Sequence, residues 1–128
     1  MIDNEMKEKI KVYMSAYDFL CDKRIPTDEE WDQYFIKNYS NNVSIELIDD
    51  NFITYGIFED HIFIKDMICF GRGWELLNRL IKKADKLHLP IRALIHVSND
   101  QVLDIVSKRF GFKEINVIGN QYLVERSI

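Results

Sequence analysis

The stretch "ICFGRGWELLNRLIKKA", residues 68–84, joins an apolar segment to an amphipathic helix through two glycines that flank an arginine. Glycine lets backbone amides approach a ligand without a Cβ in the way, and the positive end of a helix dipole attracts anions. The Gly71-Arg72-Gly73 turn is therefore either a cradle for a phosphate or only a flexible joint between a strand and a helix. The helix is predicted from about Gly73 to His88. Its predicted inner face consists of Leu77, Leu80, Ile81, Ala84 and Leu87.

The residues before this stretch predict two helices and then a meander of antiparallel strands. An apolar stripe at helical spacing runs through residues 5–22. Thr27 and Glu30 form a capping box, from which a second helix extends to about residue 39. Alternation with a period of two then indicates three strands, at residues 43–48, 52–58 and 61–70.

The residues after the stretch predict a strand, a helix and a final hairpin. An almost continuous apolar run at residues 91–97 is typical of a central strand that is covered on both faces. A helix over residues 100–110 follows, and Gly111 ends it. Gly119-Asn120 is a two-residue hairpin signal between the last two strands, at residues 112–118 and 121–128.

The element order is therefore ααβββαβαββ, which is an α+β (mixed α/β) fold. A crossover helix between two strands implies one parallel pair inside an otherwise antiparallel sheet. Lys65-Asp66 makes the third strand either a short strand with a loop or one longer, bulged strand. We expect a single domain over residues 1–128, with a helical part at 1–40 and the sheet with two crossover helices at 43–128.

Charge is distributed unevenly along the chain. The net charge is −4, but residues 1–60 hold 14 acidic and 6 basic side chains, whereas residues 61–128 hold 7 and 11. The positive half contains the glycine turn, which suits a small anionic ligand. The acidic total argues against duplex DNA as a partner, because DNA-binding domains are usually far more basic.

The sequence also indicates where the protein is located and whether a metal site is expected. No apolar run approaches the length of about 20 residues that spans a bilayer, and the charged amino terminus is not a secretory signal. We therefore expect a cytoplasmic protein with no membrane partner. The two cysteines, Cys21 and Cys69, form neither a disulfide framework nor a zinc site, so no metal is expected.

The second half of the chain resembles the GCN5-related N-acetyltransferase (GNAT) superfamily. The segment "SNDQVLDIVSKRFGFKEI", residues 98–115, is similar to the family's segment in which an Asn follows the fifth strand and a helix ends in Gly-Phe. The resemblance covers residues 61–128 and, loosely, 52–58, whereas residues 1–40 lack the family's first strand. It implies a mostly antiparallel sheet with one splayed parallel pair, flanked by helices. Short chains of this composition also resemble acetyltransferase-like proteins of bacteriophages.

The resemblance implies acetyl-CoA as the cofactor. In the family, the pyrophosphate loop reads Arg or Gln, two spacers, Gly, a spacer, and Gly or Ala. Gly71 and Gly73 match this pattern, but Ile68 stands at the leading position. The residues that the resemblance assigns to the cofactor are Phe63, Cys69, Gly71, Arg72, Gly73, Trp74 and Asn99. Asn99 fits equally well as a helix N-cap, and Trp74 as an aromatic residue that closes the core.

The catalytic candidates follow from the same resemblance. Ser107 stands where many members have a tyrosine as the general acid, and a serine hydroxyl is a poorer acid than a phenol with a pKa of about 10. The family's base is often a carboxylate near the fourth strand, for which the candidates are His61, Asp66 and Glu59. The alternatives are a surface or capping role for His61 and a solvated turn pair of Asp66 with Lys65.

Two functions are compatible with these observations. The first is an acetyl-CoA-dependent N-acyltransferase that transfers the acetyl group directly to a primary amine. The second is a catalytically degenerate protein of the same fold, a structural or protein-binding component of a bacteriophage, located in the host cytoplasm or the virion. Ile68 and Ser107 favour the second. Its partner surface would be formed by the aromatic residues of the N-terminal helices, Trp31, Tyr34, Phe35 and Tyr39.

Overall fold

The computed structural model describes residues 3–22, 24–39, 43–69 and 71–128, and for residues 17–22 it describes the backbone alone. Within these residues the elements follow the predicted order. The helices are α1 (Asn4–Asp22), α2 (Asp28–Asn38), α3 (Gly73–Leu87) and α4 (Asp100–Phe110). The strands are β1 (Val43–Ile48), β2 (Asn51–Ile57), β3 (Ile62–Ile68), β4 (Ile91–His96), β5 (Lys113–Ile118) and β6 (Gln121–Arg126). Residue 70, the predicted end of the third strand, lies outside the described residues.

The start of α2 and the end of α4 are set by capping residues that the sequence predicts. The Glu30 amide donates to Thr27 Oγ1 at 3.2 Å, and the Thr27 amide donates to Glu30 Oε1 at 3.2 Å, which completes the capping box of α2. Gly111 ends α4 in the left-handed conformation, with φ of 78°. No helix in the described part of the chain is both long and apolar enough to cross a membrane.

The strands form one mixed sheet in the order β1-β2-β3-β4-β6-β5. Neighbouring strands are antiparallel except β3 and β4, which are parallel, as the crossover through α3 predicts. These two strands pair only at Ile62 with Ile91 and Phe63 with Arg92. Beyond these pairs, toward the carboxyl ends of both strands, the sheet is open.

Helices cover the sheet on both faces, but not equally. On one face, α3 and α4 pack on β2, β3, β4 and β6 around Leu77, Leu80 and Phe110. On the other face, α1 and α2 pack on β1 to β3 through Trp31, Phe35 and Phe52. Trp31, Phe35 and Tyr39 are buried and Tyr34 is half-buried, so these side chains form core and are not the exposed partner surface that the sequence predicted. A protein partner at the N-terminal helices stays a prediction.

Two details of the predicted core are also wrong. Leu87, the last residue of α3, is 48% exposed because that end of the apolar stripe leaves the core, whereas Leu76, near the start of the helix, is buried. Leu94 of β4 is 37% exposed, because α1 and α2 extend over β1 to β3 and not over β4. β4, which the sequence predicts to be covered on both faces, is therefore covered fully on one face only.

A β-bulge in β3 redirects its side chains. Thr54 of β2 pairs with Asp66, whereas the next residue, Tyr55, pairs with Ile64, so Lys65 is the extra residue. In a regular strand, residues 64 and 66 would face the same side. With the bulge, Ile64 packs in the core under α3 and α4, while Asp66 faces α2 on the opposite side. The longer, bulged strand is thus the correct alternative.

Candidate active site

A cleft of about 410 Å³ opens where β3 and β4 separate. We call it the glycine-turn cleft, since the turn after β3 forms one of its walls. Its lining includes Met67, Cys69, Gly71, Trp74, Ile95 and Asn99. Ile68 and Trp74 line this space without filling it. Four of the predicted cofactor residues, Cys69, Gly71, Trp74 and Asn99, are therefore gathered around one opening.

Each glycine of the turn meets a different backbone requirement. Gly71 has φ of +95°, a conformation that residues with a Cβ rarely adopt. Gly73 begins α3, and a Cβ there would lie 2.6 Å from Cys69 Cβ and 2.8 Å from its Sγ. The joint between strand and helix thus needs both glycines, and the same close approach brings the start of α3 to the edge of the cleft.

The start of α3 presents backbone donors. No described residue accepts a hydrogen bond from the amides of Gly71, Arg72, Gly73 or Trp74, and the N-cap position has no side-chain cap. Such amides, together with the helix dipole, form a favourable site for a phosphate. The Arg72 guanidinium is directed elsewhere: Nε donates to Glu75 at 2.7 Å and Nη1 to Asp49 at 3.1 Å, and these contacts raise its pKa.

Trp74 and Asn99 take up the structural roles that the sequence offered as alternatives, and both also line the cleft. The Trp74 ring stacks on Phe110 at 5.4 Å between centroids. Asn99 Oδ1 accepts from the Val102 amide at 3.4 Å and caps α4. Neither contact prevents these side chains from facing a ligand.

A second cleft, of about 320 Å³, lies on the opposite face of β3, beneath α1 and α2. We call it the Asp66 cleft, and its lining includes Met14, Glu30, Tyr34, Lys65, Asp66 and Gln121. Asp66 is 7% exposed and belongs to a strand, so the solvated turn pair is not what the structure contains.

Hydroxyl groups hold one oxygen of the Asp66 carboxylate. Tyr34 Oη donates to Oδ2 at 2.7 Å, and Tyr39 Oη donates to the same atom. The Tyr39 hydroxyl also lies 2.7 Å from Thr54 Oγ1, which accepts from the Asp66 amide at 2.9 Å. None of the described residues donates to Oδ1. The carboxylate is thus oriented by one oxygen, and the other is left for a ligand in the cleft.

Burial raises the pKa of Asp66 above its ordinary value of 3.8, against the opposing effect of the hydrogen bonds from Tyr39 and Tyr34. Burial and the charge of Asp66 also raise the pKa of Tyr39 far above 10.0, so that this phenol remains a donor. A carboxylate whose pKa is moved toward neutrality is suited to accept a proton from an amine.

The two clefts adjoin. Met14 of α1 lines both of them. The successive residues Asp66 and Met67 line the Asp66 cleft and the glycine-turn cleft respectively. A ligand in each cleft would therefore meet the other near the end of β3, where the sheet is open.

Three predicted site residues lie away from both clefts. His61 precedes β3 at its paired end, where Nδ1 lies 2.7 Å from Asp60 Oδ1 and the ring stacks on Phe58 at 4.9 Å. Phe63 is paired with β4 in the closed part of the sheet. Ser107 is exposed on α4 and lines neither cleft. The structure does not bring these three residues together with the other candidates.

Sequence reasoning missed Tyr34, Tyr39 and Thr54 as partners of Asp66. Their only sequence signal is apolar periodicity, which identifies the two tyrosines as core and says nothing of their hydroxyl groups. His96, at the end of β4, is buried and hydrogen-bonded, with ring nitrogens 2.8 Å from Ser98 Oγ and 3.2 Å from Asn120 Nδ2. Among the described residues, no three His, Cys, Asp or Glu side chains are grouped to hold a metal ion.

Comparison with known proteins finds similarity in structure alone. No protein-family model matches the sequence, and none of the curated proteins gives a significant sequence match. The PaiA N-acetyltransferase of Thermoplasma acidophilum, solved in complex with coenzyme A, is similar with a TM-score of 0.68 and 16% identity over 99% of this chain and 96% of that one. A domain from Methanocaldococcus jannaschii has a TM-score of 0.71 and 14% identity, covering 99% and 95% of the two chains.

The N-acetyltransferase PseH of Campylobacter jejuni, solved in complex with acetyl coenzyme A, has a TM-score of 0.60 and 17% identity over 97% and 91% of the two chains. At such identities, the likeness concerns the fold. The match extends over nearly the whole chain, including the N-terminal helices, and the element order and the parallel pair are those that the sequence resemblance implied. This chain has the fold of the GCN5-related N-acetyltransferases.

Proposed function

We propose that this protein is an acetyl-CoA-dependent N-acyltransferase that transfers an acetyl group directly to a primary amine. The observation that carries the proposal is the meeting of two unlike clefts at the open end of β3. One presents backbone donors, and the other presents a buried carboxylate with one oxygen left for a ligand. Solved structures of this fold with coenzyme A or acetyl coenzyme A bound support the same assignment.

The glycine-turn cleft fits the cofactor. The amides from Gly71 to Trp74 would bind the pyrophosphate, and the apolar walls at Met67, Ile95 and Val102 would bind the pantetheine arm. Acetyl-CoA would supply the acetyl group as an activated thioester. Cys69 and Asn99 line the same space and are further candidates for contact.

The Asp66 cleft fits the acceptor. An amine that enters as an ammonium loses two protons when it becomes an amide. Asp66 Oδ1 accepts one of them, which frees the nitrogen lone pair for attack, and the other neutralises the departing sulfur. A thiol of ordinary pKa, about 8.5, leaves without a dedicated acid, so the exposed position of Ser107 is no obstacle. Tyr34 and Tyr39 hold the carboxylate in place throughout.

Two measurements test the proposal. Acetyl-CoA should raise the thermal unfolding midpoint in a concentration-dependent manner, because a ligand of the folded state stabilises it. With a panel of primary amines, a thiol reagent should detect release of coenzyme A that depends on the amine, and mass spectrometry should find one added acetyl group. The absence of any thermal shift at millimolar acetyl-CoA would contradict the proposal.

A further inference from the structure

We infer that the Asp66 cleft selects acceptors that carry an anionic group, a carboxylate or a phosphate, next to the amine, and that Lys65 binds this group. The inference rests on the proposed function, because it assigns an acceptor class to the same site. The recognition element is the pair of adjacent, oppositely charged side chains that the bulge in β3 creates.

The bulge is what places both charges in one cleft. In a regular strand, neighbouring residues point to opposite faces of the sheet. Here Lys65 is the extra residue, and both Lys65 and Asp66 line the cleft under α1 and α2. A bulge disrupts the ladder locally, and bulges are frequent where a side chain is re-aimed next to an active site.

Within the part of the chain that the structure describes, the ammonium of Lys65 forms no close ion pair, and its charge acts on the neighbouring carboxylate of Asp66. Lys65 Nζ lies 5.5 Å from the centroid of the Phe63 ring and 5.8 Å from that of Phe58, and no described carboxylate lies within 4 Å of it. The other acid lining the cleft, Glu30, is engaged by Thr27 and Arg24 at the start of α2. Lys65 lines the cleft, whereas Phe58 and Phe63 do not, so its ammonium would leave these ring faces to bind an anion in the cleft.

A ligand that satisfies both side chains carries opposite charges close together. Its ammonium would lie at Asp66 Oδ1 and its carboxylate or phosphate at Lys65 Nζ, as in an α-amino acid or an amino-alkyl phosphate. The cleft volume of about 320 Å³ is of the size that holds a small molecule. A simple amine of the same size would leave the lysine without a partner.

The test compares matched pairs of ligands by their dissociation constants, measured by amide NMR titration without acetyl-CoA. The pairs are L-lysine with cadaverine, L-phenylalanine with phenethylamine, and O-phosphoethanolamine with ethanolamine. We expect at least one anionic member to bind about tenfold or more tightly than its partner, the size expected of a charge-assisted contact. Lys65→Met should abolish this preference, Lys65→Arg should keep it, and Lys86→Met, which removes an exposed lysine of α3, should not change it.

The outcomes separate the inference from the proposed function. Equal binding of both members of every pair, or a preference that persists in Lys65→Met, would overturn the inference even if acetyl-CoA binds and acetyl transfer occurs. A preference that disappears in Lys65→Met would support it even if transfer fails. Circular dichroism and the thermal midpoint of each variant show that the comparison is made on folded protein.

Discussion

The two clefts that meet at the end of β3 are built in different ways. The glycine-turn cleft presents backbone amides, whose position depends on the path of the chain through Gly71 and Gly73. The Asp66 cleft presents side chains contributed by α1, α2, β2, β3 and β6. A backbone site should therefore be sensitive to an added Cβ and a side-chain site to the loss of a functional group. The predictions below test this difference.

The largest effect is expected from Asp66→Asn, which keeps the shape of the side chain and removes the base. The turnover number should fall about 10²- to 10⁴-fold, the usual contribution of a general base. The affinity for acetyl-CoA, measured by calorimetric titration, should not change. Asp104→Asn, the same substitution at an exposed position of α4, is the control. An equal loss of acetyl-CoA binding in Asp66→Asn would show that the clefts are not independent.

Gly73→Ala, unlike Asp66→Asn, should weaken the binding of acetyl-CoA. The new Cβ would lie 2.6 Å from Cys69 Cβ, so the start of α3 must shift, at a cost to the free energy of unfolding of about 1–3 kcal/mol. Acetyl-CoA affinity should fall about tenfold, since charge-assisted contacts from the amides would be misplaced. Adding Cys69→Gly removes both of the closest contact atoms and should restore part of the loss. Unchanged affinity in Gly73→Ala would argue against a role for these amides.

The pH dependence of stability should distinguish Asp66 from an exposed carboxylate. Its pKa is raised in the folded state, mainly by burial, so the folded protein binds a proton more tightly than the unfolded chain. This stabilising contribution is fully present below the unfolded pKa, about 3.9, and is lost as the pH rises through the raised folded pKa. Urea unfolding across this range should therefore show the wild type losing stability relative to Asp66→Asn as the pH rises. A constant difference would contradict the raised pKa.

The smallest effects are expected from His61→Ala and Ser107→Ala. Neither residue lines a cleft, so kcat/KM should stay within about twofold of the wild type, as for other surface substitutions. Steady-state kinetics with the best acceptor of the amine panel checks this. A fall of about a hundredfold in either variant would be the size of a general acid or base and would reopen the assignment to Asp66.

The sequence predicted much of the fold because the signals were local. Apolar periodicity, capping and glycine signals predicted the order of the helices and strands, and the crossover helix implied the parallel pair. The error at Leu87 has a simple physical cause, since periodicity cannot tell which end of an amphipathic stripe leaves the core. The exposure of Leu94 depends on how far α1 and α2 extend over the sheet, which is a tertiary property.

The two clefts were predictable to different degrees, because one is formed by contiguous residues and the other by residues that lie far apart in the sequence. The glycine turn is contiguous in sequence, so its spacing could be compared with a known pattern. The surroundings of Asp66 come from positions 34, 39 and 54, which only the fold brings together. The bulge at Lys65 was one of two alternatives, and its register decides whether Asp66 faces α2 or the opposite side.

The central claim is that the amides at the start of α3 bind the phosphates of acetyl-CoA. Titration of ¹⁵N-labelled protein with acetyl-CoA, followed residue by residue, tests it most directly. We predict saturable shifts that are largest at Gly71, Arg72, Gly73 and Trp74 and extend to Cys69 and Asn99. Amide signals at these positions that stay unmoved at millimolar acetyl-CoA would contradict the claim.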